Sequence, residues 1–130
     1  MTDEDRRAIE ADCARLINLY ANLNDEARWE EVAALYAEDG LMTRPTAPDA
    51  PIVGREALLA AFLARPPRTS QHVVANIVVE VESETEARAK SAILLFTSKE
   101  GPPLVGTYRD RFVKTGEGWR FAERRGALTW

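Results

Sequence analysis

The sequence predicts an α+β fold, with three N-terminal helices packed on one face of a curved, mainly antiparallel sheet. Two observations carry that expectation. Apolar residues recur at spacings of three and four over the first third of the chain, and from Ser70 onward the period changes to two. The links between the period-two segments ("SET", "EGPP" and "GEG") are short and polar, the size of hairpin connections rather than crossovers.

The elements follow in order. Ile9, Cys13, Leu16, Ile17 and Tyr20 form one apolar stripe on a long first helix, which Thr2 or Asp3 caps. A break at "NLND" separates it from a shorter helix carrying Trp29, Val32, Ala33 and Tyr36, with Asp25 able to cap its start. "AEDG" ends that helix, Gly40 serving as a left-handed cap. A short apolar piece, "LMTR", leads into "RPTAPDAP", whose prolines suggest a stiff loop at a rim. "GREALLAAFLAR" is a third helix with Leu58, Ala61 and Phe62 on its apolar face, stopped by Pro66 and Pro67. Four strands close the chain: "SQHVVANIVVEVES", "EARAKSAILLFTSK", "PLVGTYRDRFVKT" and "GWRFAERRGALTW".

Composition narrows the function classes. The 130 residues fit one domain, spanning 1–130, and are 45% hydrophobic and 29% charged, as in a globular protein. The net charge of −4, with basic residues dispersed, argues against a nucleic-acid partner. No apolar run approaches the ~20 residues of a membrane span, and the charged start carries no secretory signal. The lone Cys13 lies in the helix stripe and reads as a buried hydrophobe in a reducing, cytoplasmic setting. One histidine and one cysteine supply no metal-ligand cluster, so neither metal nor cofactor is expected.

A sheet curled around helices encloses a cone whose open end suits a small-molecule ligand. Strand parity groups His72 with Val74, Asn76 and Val78, and groups Gly106 with Tyr108, Asp110 and Phe112. Arg44 is either a clamp for a substrate carboxylate or a solvated rim residue, and Tyr20 fits the core with its hydroxyl satisfied. Trp29, Phe62, Trp119 and Phe121 read as core aromatics, Arg124 and Arg125 as surface or interface residues.

The order of elements, with "Y-x4-D-x3-W" (Tyr20, Asp25, Trp29), "LYAEDG", "GREAL", "QHVVAN", "GTYRDRF" and "GEGWRFAERR", resembles the SnoaL-like, scytalone-dehydratase-like branch of the nuclear transport factor two-like superfamily. The resemblance covers nearly the whole chain. It implies the cone-shaped α+β fold, a pocket aspartate at Asp25 and a pocket histidine at His72. Where scytalone dehydratase keeps a second histidine and two tyrosines, this chain has Ser91, Asn24 and Arg44. Tyr108 falls where that enzyme has a pocket asparagine.

These readings converge on a cofactor-independent lyase or isomerase, dehydratase- or cyclase-like, acting on a small, largely apolar carbonyl compound. Asp25 and His72 are the catalytic pair; Tyr20, Asn24, Arg44, Asn76, Ser91 and Tyr108 are the substrate-binding candidates. The alternative is a non-catalytic small-molecule-binding module or an oxygenase-small-subunit-like partner. The superfamily also suggests a homodimer formed through the sheet.

Overall fold

In the computed structural model, which describes residues 1–130, the chain runs through α1 (Asp3–Asp25), α2 (Trp29–Ala34), β1 (Tyr36–Arg44), β2 (Ala47–Val53), α3 (Arg55–Leu63), β3 (Gln71–Val81), β4 (Glu86–Phe96), β5 (Leu104–Thr115) and β6 (Gly118–Leu128). The strands form one curved sheet in the order β2-β1-β6-β5-β4-β3. Every neighbouring pair is antiparallel except β1 and β6, which run parallel. No helix is long and apolar enough to cross a membrane.

α1 starts on a reciprocal capping box: the amide of Asp5 donates to Thr2 Oγ1 at 3.0 Å, and the amide of Thr2 to Asp5 Oδ2 at 3.2 Å. Its expected stripe is buried, with Cys13, Leu16, Ile17 and Tyr20 packed on Met42, Phe112, Trp119 and Phe121. Burial pushes the Cys13 thiol up to about 12, which makes it an inert core residue. Arg55 at the start of α3 donates from Nε and Nη2 to the carbonyl of Tyr36, at 3.0 and 2.6 Å, and pins that helix to β1.

The structure departs from the sequence reading in three places. First, α1 runs unbroken through "NLND", so Asp25 is its last residue and not the cap of α2; that position belongs to Arg28, which makes no capping bond through its side chain. The reversal comes just afterwards, at Ala27, whose φ is 56°. Second, residues 36–53 are a hairpin rather than helix end and loop. Tyr36 already pairs with Phe121 of β6. Gly40 is not left-handed; it sits where β1 shifts register, and a Cβ there would lie 2.9 Å from Tyr36 Cβ. Pro48 and Pro51 are tolerated in β2 because it is an edge strand, where a missing N–H need not break a ladder.

Third, two bulges switch strand parity. In β3 the register shifts between Ala75 and Val78 around Asn76, whose φ is 54°. The partly buried row is therefore His72 and Val74, then Ile77, Val79 and Val81, while Asn76 and Val78 are exposed. In β6, Phe112 faces Phe121 but Arg111 faces Glu123, so the buried row passes from Trp119 and Phe121 to Arg124 and Gly126. β5 has no internal slip before Arg111, and Gly106, Tyr108, Asp110 and Phe112 share one face as expected, which is the buried one.

Candidate active site

At one end of the cone lies a cavity of about 590 Å³, within the range of about 300–1,000 Å³ usual for small-molecule sites. Ile93 and Leu95 of β4, Gly106 and Tyr108 of β5, and Leu128 of β6 supply one wall. Tyr20 and Asn24 of α1, Met42 and Arg44 of β1, and the segment after α3 supply the other.

His72 opens β3 at the cavity wall, and Asp25 ends α1 directly behind it. The carboxylate is held on both oxygens: Oδ2 accepts from the His72 amide at 2.7 Å, while Oδ1 accepts from Ser70 Oγ at 2.9 Å and from His72 Nδ1 at 2.5 Å. A carboxylate only accepts, so Nδ1 carries the proton. In the neutral ring Nε2 is then a bare acceptor, and it makes no hydrogen bond within the chain. The side chains of His72 and Asp25 are 11% and 13% exposed, so the pair is largely shielded from water. Asp25 itself does not reach the cavity surface; it acts on the cavity through His72.

Of the other expected site residues, Tyr20, Asn24, Arg44 and Tyr108 line the cavity. Tyr20 accepts a hydrogen bond from Tyr36 Oη at 3.0 Å and directs its own hydroxyl at Met42 Sδ, 3.5 Å away. Asn24 donates to the carbonyl of Tyr20 at 2.9 Å and accepts from Arg65 Nη1 at 3.2 Å, so both ends of its amide are occupied by protein. Tyr108 is buried, which pushes its hydroxyl well above the ordinary tyrosine range, with Tyr20 adding to the effect and Arg124 opposing it. It therefore stays a donor at neutral pH.

Two expected residues are not brought to the cavity. Asn76 forms the β3 bulge and is exposed. Ser91 lies on the buried row of β4, one step deeper than Ile93, and its Oγ is enclosed without a partner.

Below the cavity floor lies a charged pair, of which the sequence reading grouped Asp110 with Tyr108 but set Arg124 at the surface. Arg124 and Asp110 are both fully enclosed, with Nε 3.1 Å from Oδ1 yet not aligned as a hydrogen bond. The guanidinium is stacked among three rings, 3.8 Å from the centre of Tyr108, 4.4 Å from Tyr20 and 4.9 Å from Phe121. Burial pushes Asp110 up to about 6 against the pull of Arg124. Burial also opposes the charge of Arg124, but Asp110 and the tyrosines outweigh it and hold the guanidinium protonated. Arg124 is thus an interior residue rather than a surface or interface one. The bulge one turn of the pleat earlier is the only signal that could have revealed it. Arg65 and Arg68, which flank the "PP" after α3, were also missed and line the cavity mouth.

Residues 4–125 match the model of a family described as a SnoaL-like domain. No curated protein matches the sequence. Among solved structures, a candidate scytalone dehydratase from Novosphingobium aromaticivorans is 28% identical, with a TM-score of 0.85 over 99% of this chain and 89% of that chain. A nuclear transport factor two-like protein with a cystatin-like fold, from the same organism, is 28% identical, with a TM-score of 0.80 over 97% and 82% of the two chains. A hexachlorocyclohexane dehydrochlorinase from Novosphingobium barchaimii is 18% identical, with a TM-score of 0.84 over 99% and 92%, a likeness of fold alone.

Proposed function

The chain belongs to the SnoaL-like domain family, and on that footing we propose that it is a cofactor-independent lyase or isomerase working by proton abstraction next to a carbonyl. The observation that carries this reading is the Asp25–His72 pair, 2.5 Å apart, with the second ring nitrogen unpartnered on a residue that lines the cavity. Asp25 fixes the ring and its tautomer, and stabilises the imidazolium that forms when Nε2 takes a proton. Tyr108, a protonated donor in the same cavity, is the group placed to hold the developing enolate oxygen. Dehydration, isomerisation and ring closure all start from that abstraction.

Likeness to a candidate scytalone dehydratase supports the reaction class. It does not extend to that enzyme's own substrate. The amide of Asn24 is tied to protein at both ends and Ser91 is enclosed away from the cavity, so two of the places where scytalone dehydratase keeps its second histidine and tyrosines carry other contacts here. A non-catalytic module would call for a filled interior and an Asp25 bonded only to helix amides, and both features run the other way.

The test needs no known product. The parent protein in deuterated water should exchange the proton next to the carbonyl of an apolar cyclic ketone such as tetralone. His72→Gln should lower that rate by about 10²–10⁴-fold, the usual worth of a positioned acid–base group. Equal rates for the two proteins would remove His72 from the chemistry.

A further inference from the structure

The cavity carries an electrostatic bias that the acid–base pair does not need. Three guanidinium groups, Arg44, Arg65 and Arg68, line it, and not one carboxylate does. None of the three forms an ion pair anywhere in the chain. The whole chain has a net charge of −4, so this local excess of positive charge is not a reflection of composition.

Arg44 and Arg65 are positioned but unsaturated, and the exposed Arg68 makes no hydrogen bond within the chain. Arg44 Nη2 donates to the carbonyl of Ala61 at 3.3 Å, while its Nε is buried without a partner. Arg65 Nη1 donates to Asn24 Oδ1 at 3.2 Å, and its guanidinium lies 4.8 Å over Phe62 and 5.3 Å over Trp29. That stacking fixes the plane of the fork, which is the geometry that recognises an oxyanion through paired N–H groups. Burial opposes the charge on Arg65, and the neighbouring charges of Arg44 and Arg68 work in the same direction. Like charges held together at a half-enclosed mouth are costly unless an anion enters to offset them. The strand wall of the cavity is apolar, with Ile93, Leu95, Leu104 and Leu128, and His72 is paired across from Leu95.

We propose that the ligand is an amphipathic carboxylic acid, whose carboxylate is held by Arg65, Arg68 and Arg44 and whose apolar ring lies on the leucine and isoleucine wall beside His72. This rests on the reading of the cavity as the substrate site, and it narrows the substrate to a carbonyl compound carrying a carboxylate. The arginines are binding residues in this scheme. They seat the anion and thereby set which carbon comes to the imidazole.

The probes are naphthoate and its neutral isostere naphthamide, each displacing the uncharged dye N-phenyl-1-naphthylamine from the protein, so that the reporter has no anion of its own to lose with the arginines. Naphthoate should displace the dye at a concentration about 10-fold lower than naphthamide, in line with one net charge-assisted contact. Raising the salt should weaken naphthoate alone, because the mouth is open to screening. Arg65→Gln and Arg68→Gln should each erase most of the preference while leaving naphthamide within about 2-fold of the parent, a margin small beside a full charge contact. Arg68 is exposed, so its variant keeps the test alive should the more buried Arg65 variant fail to fold. Equal displacement by the two probes, no displacement by either, or an equal loss of both probes in the Arg68 variant would overturn the proposal. The readout is binding, so it stands apart from the acid–base reading. Loss of exchange in His72→Gln with no anion preference sinks only this proposal, and an anion preference with a dispensable His72 sinks only the other.

Discussion

Asp25→Asn is the substitution whose outcome the geometry specifies most closely. The carboxylate accepts three hydrogen bonds, from Ser70 Oγ, the His72 amide and His72 Nδ1. Asparagine offers one acceptor and one donor in the same place, so one of two arrangements must follow. If the amide nitrogen occupies the Oδ2 position it meets the His72 N–H, a backbone donor that cannot reverse, at a cost of about 1–3 kcal/mol. If it occupies the Oδ1 position, both partners have a way out: the serine hydroxyl rotates, and the imidazole moves its proton to Nε2. The second arrangement wins by that same 1–3 kcal/mol, which favours the switched tautomer by about 5- to 150-fold.

Turning three charge-assisted bonds into neutral ones, each about half as strong, also lowers stability by about 2–4 kcal/mol. Because His72 is the only histidine, nitrogen NMR of a histidine-labelled sample reads its tautomer without assignment and without substrate. The parent should show Nδ1 protonated with Nε2 bare, and the variant the reverse. A variant that keeps the parent tautomer would refute the reasoning, since a bare Nε2 would then not depend on Asp25. With the tautomer switched, exchange next to a carbonyl should fall by about 10²–10⁴-fold, because Nε2 no longer accepts a proton.

Two further outcomes follow from features away from the dyad. Asp110 titrates at about 6 when folded against 3.8 otherwise, so between those values the folded protein binds a proton that the unfolded chain does not. Its contribution therefore falls as pH rises through that window and is flat above it, by an amount on the order of 3 kcal/mol. The unfolding free energy of the parent minus that of Asp110→Asn, measured by urea titration at pH 4 and at pH 7, should shrink by that order; a constant difference would mean the carboxyl is not desolvated as described. At the β3 bulge, Asn76→Ala should cost about 0.5–1 kcal/mol because alanine is strained at positive φ, whereas Asn76→Gly should cost little. Equal urea midpoints for the alanine variant and the parent would show the bulge carries no such strain.

Much of this was legible in the sequence where local period and burial agree. The α1 stripe, the hairpin strands after Ser70 and the buried row of β5 all follow from spacing alone. What failed has a common cause, pairing at long range. Residues 36–40 look helical, yet Tyr36 becomes a strand residue because β6, some 85 positions on, supplies its partner Phe121. Alternation placed Asn76 beside His72, and Arg124 read as a surface or interface residue, yet each lies beyond a bulge that adds one residue to the count. Asp25 and His72 were legible as a pair only through the family resemblance, because no period relates the end of a helix to the start of a distant strand. Arg65 and Arg68 were not, because no period places residues that follow a helix stopped by prolines.

The parallel seam between β1 and β6 also sets the order in which the molecule can assemble. β1 lies between β2 and β6, and β6 in turn holds β5, so the last strand joins an early hairpin to a later meander. Until residues 118–128 are available, β1 and β5 each present an open edge, and Arg124 has not yet entered the core beside Asp110. Closing the sheet thus waits on a pairing between strands far apart in the chain, the kind that makes folding slow. During synthesis the ribosome delivers that strand after all the others. The half-built cone must survive with two exposed edges, and that interval is where a chaperone would matter most to this protein.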